Sequence, residues 1–144
     1  MLYLIKFRIG DVVMCNILIS IKPEYVEKIL NGSKKYEYRK VKPRRTDISK
    51  LIIYSTSPVM RVVGEVEVLE IIEDTPKQLW SVTKHESGIK KSFYDSYYKS
   101  RKNACAFKLG KVVVYDKFLT LEEYGINFVP QSFFYLDEKT NVCH

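Results

Sequence analysis

Between residues 17 and 136 the apolar residues come in short runs of strand length, each closed by a turn signal. Residues 17–21 end at Lys22-Pro23, and residues 51–55 are followed by Ser57-Pro58. Residues 61–72 alternate with period two, Val62, Gly64, Val66 and Val68 against Val63, Glu65, Glu67 and Leu69. This punctuation predicts strands rather than long helices. No uninterrupted apolar run approaches the ~18 residues of a membrane span. Gly64, inside a strand pattern, marks a bulge or a close backbone approach.

Helices fit only between these runs. Pro23 suits a first helical position, Glu24 and Glu27 sit where the helix dipole favours acids, and Asn31-Gly32 supplies a left-handed stop. The spacing predicts a helix over 23–31, with Tyr25, Val26, Ile29 and Leu30 as its apolar face and Lys22 as a poor N-cap. Thr75 and Pro76 predict an N-cap and first position for a helix reaching about Lys84. Residues 92–99 read as a third helix, with Phe93/Tyr97 and Tyr94/Tyr98 at i, i+4. Residues 34–40 alternate as a strand, placing Lys35, Glu37 and Arg39 on one face and Lys34, Tyr36, Tyr38 and Lys40 on the other. Strands at 104–115 and 131–136 and a helical turn at 120–124 complete the order β-α-β-β-β-α-α-β-β. The class is α+β, a small, partly open barrel with flanking helices.

At 144 residues, with 46% hydrophobic and 28% charged, the chain suits one globular domain with one core. Cys15, Cys105 and Cys143 form no CxxC, and only His85 and His144 could join them. A zinc site, a haem-attachment motif and a dense disulfide framework are therefore not expected, nor is any metal or cofactor. Residues 1–13 are apolar but broken by Lys6, Arg8 and Asp11, with no small-residue cleavage site, so the expected address is cytoplasmic.

The net charge of +7 is uneven. Residues 34–45 hold seven bases and one acid, residues 84–102 six bases and two acids, and residues 65–74 five acids and no base. Basic segments with interleaved tyrosines suit a phosphate backbone with stacked bases. On charge alone, a lysine-rich solvated surface fits as well.

Ser20-Ile21-Lys22-Pro23, then Ile29, then Gly32-Ser33-Lys34-Lys35-Tyr36-Glu37-Tyr38-Arg39 resembles the G-x-K-x-x-E-x-R signature of the ASCH domain, of PUA-like pseudo-barrel fold. Tyr54 to Pro58, Val63 to Val66, Ser87-Gly88-Ile89, Phe93-Tyr94-Asp95 with Tyr97-Tyr98, and Pro130 to Phe133 are similar to the small bacterial, archaeal and phage branch. The resemblance covers 17–136, leaving 1–16 as an extension and 137–144 as a tail. It implies an RNA-linked function, with the signature lining a cleft beside the first helix. Some relatives of this kind are metal-independent ribonucleases, and a small branch deacetylates N4-acetylcytidine with a Lys, a Thr and a Glu. The Lys of that branch maps onto Lys34, but its Thr position is Glu37 here and its acid has only Glu86 as a candidate.

The expected function is RNA or nucleotide-like ligand binding in a basic cleft around Lys34, Glu37 and Arg39. Arg can hold phosphate while Glu accepts from a ribose hydroxyl or base edge. Gly32 lets the backbone approach a ligand. Arg44, Arg45 and Lys99 are candidate phosphate contacts, Ser55 a hydroxyl donor, and Tyr94 or Tyr98 a stacking surface, although the i, i+4 spacing points to core packing for at least half of Tyr94, Tyr97 and Tyr98. The alternative is an enzyme acting on RNA or a modified nucleoside, with Glu37 as base and Lys34 and Arg39 stabilising the phosphorane. A third reading is an interaction module without nucleic acid. DNA is a less favoured partner, no membrane role is expected, and the oligomeric state is open.

Overall fold

A computed structural model describes residues 15–137. Of the expected extension (1–16) and tail (137–144), residues 1–14 and 138–144, with Cys143 and His144, lie outside the described residues, whereas Cys15 and Asn16 belong to the first strand and Asp137 to the last. Six strands form one mixed sheet in the order β2-β5-β4-β3-β1-β6. They are β1 (Cys15–Ile21), β2 (Tyr36–Arg39), β3 (Ile48–Ser55), β4 (Arg61–Asp74), β5 (Ala104–Leu119) and β6 (Phe133–Asp137). β1 and β3 are parallel, and every other pair is antiparallel. The helices are α1 (Pro23–Leu30), α2 (Pro76–Thr83) and α3 (Lys91–Tyr97), with a 3-10 turn at Lys84–Glu86 after α2. This is the α+β half-barrel and element order that the sequence predicts.

The caps behave as their chemistry requires. Pro23 opens α1 with no side-chain cap from Lys22. Thr75 accepts a hydrogen bond from the Gln78 amide at 3.3 Å, with Pro76 at the first position of α2. Two strands outrun their apolar patterns: β4 continues to Asp74 and β5 to Leu119. They pair with each other from Val62↔Leu119 to Asp74↔Ala104, so the ladder extends them after the alternation has ended. Gly64 combines a register shift with close approach, since a Cβ there would stand 2.6 Å from the Val113 carbonyl oxygen. Residues 120–124 form the single helical turn that the sequence predicts, the Tyr124 amide donating to the Thr120 carbonyl at 3.1 Å. Thr120 and Glu123 cap each other reciprocally, and Gly125, at φ +90°, ends the turn after one revolution.

The main core lies between the sheet and α1, with Ile17, Ile19, Leu51, Ile53 and Phe107 fully buried and Val26 and Ile29 coming from the helix. A second, aromatic cluster packs α2 and α3 against the sheet through Tyr36, Tyr38, Leu79, Tyr94 and Tyr98. β2 contributes Tyr36 and Tyr38 to this second cluster, and that strand positions the site.

Candidate functional site

The end of α1 aims one lysine inward. Gly32, at φ +85°, takes the left-handed position after the Asn31 C-cap. The Lys34 amide donates to the Lys28 carbonyl at 3.0 Å, folding the chain back on the helix. Lys34 is only 2% exposed, and its Nζ donates to the Ser87 carbonyl at 2.8 Å. It lies 4.9 Å from the Tyr38 ring centroid and 4.0 Å from Glu37 Oε1. Burial pulls its pKa from 10.5 down to about 8, and Glu37 offsets this only in part.

Glu37 and Arg39 share one face of β2. Glu37 Oε2 accepts from Arg39 Nε at 3.2 Å and Nη2 at 2.9 Å, a forked, buried pair. Arg39 also donates from Nη2 to the Ser20 carbonyl at 2.9 Å and from Nη1 to Ser132 Oγ at 3.3 Å. It thereby ties β2 to β1 and to the segment entering β6. The strand alternation places Lys34 opposite Glu37, but the structure puts it alongside. β2 begins only at Tyr36, so period two does not govern Lys34.

These three side chains line a cavity of about 410 Å³ between α1, β2 and α3. Its aromatic walls are Tyr25 from α1 and Phe93 and Tyr97 from α3. Phe93 and Tyr97 are stacked, with centroids 6.1 Å apart and planes 17° from parallel. Lys40 Nζ sits 4.8 Å from the Tyr97 ring centroid. Two cations, one carboxylate and flat apolar walls converge where a planar, phosphorylated ligand can be enclosed. Among the described residues no three His, Cys, Asp or Glu side chains come together to hold a metal ion. No helix among them is long and apolar enough to cross a membrane.

Comparison with known proteins supplies the family. The ASCH domain family matches residues 19–118. The chain is an ASCH domain. The crystal structure of ASCH from Zymomonas mobilis superposes with a TM-score of 0.75 at 25% identity, over 86% of this chain and 89% of that one. A serine-to-alanine variant of the same protein gives a TM-score of 0.77, over 85% of this chain and 89% of that one. An ASCH domain-containing ribonuclease of Zymomonas mobilis is 30% identical over 92 residues, 64% of this chain and 62% of that protein. A Ureaplasma parvum protein named ATP synthase subunit alpha is 32% identical over 129 residues, 89% of this chain and 16% of that protein. The chain thus spans about three fifths of one of these relatives and about a sixth of the other.

The sequence candidates Lys34, Glu37 and Arg39 are brought together, while the other sequence candidates are dispersed. Gly32 shapes the turn but does not line the cavity. Arg44 stacks on Tyr135, with its guanidinium carbon 5.3 Å from the ring centroid, and Arg45 pairs with Asp47. Lys99 is exposed beyond α3 and outside the cavity lining. Ser55 is buried on the other side of α1, beside Pro23 and Val59. Glu86 stands by His85 and does not line the cavity. Tyr94 and Tyr98 are 1% and 3% exposed, which leaves neither a face for stacking. Their i, i+4 spacing puts them on the buried side of α3, where the Tyr98 hydroxyl lies 2.9 Å from the Arg39 carbonyl oxygen and 3.0 Å from that of Cys105.

Sequence reasoning missed Ser20, Phe93 and Tyr97 in the cavity lining, and Ser87 and Gly88 as the contacts of Lys34. Gly88 is at φ +71°, and a Cβ there would come within 2.5 Å of the Lys34 stem. Ser87-Gly88 and Phe93 to Tyr97 fall in stretches that carry the family resemblance. Nothing local in the sequence tied them to Lys34.

Proposed function

We propose that this ASCH domain binds RNA, seating one nucleotide in the cavity between α1, β2 and α3. One observation carries the reading: Lys34, Glu37 and Arg39 converge on a cavity walled by Tyr25, Phe93 and Tyr97. Arg39 Nη1 and the Lys34 ammonium supply positive charge for a phosphate. The Glu37 carboxylate accepts from a ribose hydroxyl or a base N–H, and the stacked pair on α3 offers a face to the base. The match to a protein named as an ASCH domain-containing ribonuclease supports RNA as the polymer.

The same relative favours a second reading, cleavage of the bound RNA. The 2′-hydroxyl would attack the adjacent phosphorus to give a 2′,3′-cyclic phosphate, and the 5′-oxygen would leave as a hydroxyl after taking a proton from solvent. Glu37 would take the proton, while Arg39 and protonated Lys34 would neutralise the phosphorane.

The test uses end-labelled single-stranded and structured RNAs in EDTA, with Glu37→Gln beside the wild type. Retarded, intact RNA that is released by salt supports binding alone. Product that disappears with Glu37→Gln supports cleavage. RNA that is neither shifted nor cut overturns both readings.

A further inference from the structure

On the far side of α3 from the cavity lies a second groove, of about 530 Å³. Two helices line it with stripes of the same spacing. α2 and the turn after it bring Lys77, Trp80, Ser81 and Lys84, at i, i+3, i+4 and i+7. α3 and its C-cap bring Lys91, Tyr94, Asp95 and Tyr98 at the same intervals.

Trp80 is the half-exposed aromatic of this groove. Its ring packs on Tyr94 with centroids 4.6 Å apart. Tyr94 is itself fixed by donating its hydroxyl to the Pro76 carbonyl at 2.7 Å. The indole is thus a rigid platform. Lys77 and Lys84 stand about one turn before and after it, and both are exposed. Among the described residues neither ammonium has a hydrogen-bond or ion-pair partner, whereas Lys91 is paired with Asp95 at 2.8 Å. A supported aromatic face between two unpaired cations suits a stacked base flanked by phosphates.

We propose that this groove is a second nucleotide subsite for single-stranded RNA. One base stacks on Trp80, and Lys77 and Lys84 meet the phosphates on either side. The proposal rests on the reading of the cavity as an RNA site and extends it. α3 is the wall between the two, with Phe93 and Tyr97 lining the cavity, Lys91 and Asp95 lining the groove, and the buried Tyr94 and Tyr98 forming the groove floor. A helix with its side chains is ~10 Å across, so a dinucleotide in the cavity does not reach Trp80. A strand of about ten nucleotides spans both.

Trp80 is the single tryptophan of the chain, so its emission reports the groove directly. The experiment titrates wild-type protein with a single-stranded RNA decamer, a dinucleotide, duplex RNA and heparin. Tryptophan emission is followed in each titration, and anisotropy of labelled RNA is measured separately. The decamer is expected to bind and quench, and the dinucleotide to bind without quenching. Duplex RNA, whose bases are already stacked, and heparin, which has none, should leave emission unchanged. The exposed-site double variant Lys77→Ala/Lys84→Ala should weaken decamer binding about tenfold. It should also flatten the salt dependence by about 1.4 in log–log slope, for two phosphates on a single strand, and leave dinucleotide affinity unchanged.

A decamer that binds without quenching, with equal affinity for the double variant, overturns the groove and leaves the cavity reading standing. Quenching by heparin overturns base stacking. Quenching by the decamer with no dinucleotide binding, and no effect of Glu37→Gln, removes the cavity reading and keeps the groove. No binding by either RNA removes both.

Discussion

Lys34 is held where an ammonium is costly. Its folded pKa of about 8 lies below the ordinary 10.5, chiefly through burial. Below pH 8 both folded and unfolded chains carry the proton, and the fold bears the full penalty, on the order of 3 kcal/mol. Between pH 8 and 10.5 the unfolded chain keeps a proton that the folded chain has released, so this group makes stability rise with pH. Buried thiol and phenol groups oppose that trend at higher pH, Cys105 and Tyr38 among them. Burial pushes the Cys105 thiol from 9.0 up to about 11 and the Tyr38 hydroxyl from 10.0 up to about 12. The clean window is pH 8 to 9. In urea melts Lys34→Met should be more stable than wild type at pH 7 by about 1–3 kcal/mol and should lack the rise across that window. It should also lose RNA binding, and wild-type affinity should fall as pH passes 8, because the charge needed for phosphate is the one the fold resists. A variant no more stable than wild type at pH 7 would mean that the bond to Ser87 outweighs desolvation.

The elements divide fold from function. No residue of α2 lines the cavity. Thr75→Ala removes the cap on that helix and should cost about 1 kcal/mol in a thermal or urea melt, with dinucleotide affinity unchanged. A loss of dinucleotide binding would show that α2 supports the site through the aromatic cluster. Elements were legible in the sequence where a residue type has one local job: Pro23 and Pro76 at first positions, Thr75 as cap, Gly32 as stop. They were least legible where pairing decides. The ends of β4 and β5 follow their mutual ladder, and the β2 start at Tyr36 decides which side Lys34 occupies. Within the site, the Glu37–Arg39 pair could be read from strand spacing alone. The contacts of Lys34 with Ser87 and Gly88 join segments more than fifty positions apart, and no local pattern encodes them. Tyr94 and Tyr98 mislead for a related reason: helical spacing fixes that they share a face, but only packing fixes which face is wet.

At the scale of the whole molecule, β2 and β6 are the two edges of the sheet, and Arg39 spans the gap between their ends. Its bonds to the Ser20 carbonyl and Ser132 Oγ fasten the curled sheet along that line. The cavity opens beside the fastening. Arg39→Ala should therefore speed amide exchange in β2 and in Phe133–Asp137 by about tenfold, the equivalent of ~1.4 kcal/mol of local stability. The β3–β4 ladder, bonded on both sides, should be unaffected. Arg39→Lys keeps the charge but cannot fork between Glu37 and Ser20, and should fall between the two. Uniform acceleration across all strands would instead mean that Arg39 supports the fold globally.

α3 is a party wall. From Lys91 to Tyr98, three positions face the cavity and four face the outer groove, leaving Ser92 alone with no side to serve. A segment so fully subscribed has little freedom to drift: nearly every substitution alters the lining of one hollow or the other, and two rooms that share a wall cannot be remodelled separately.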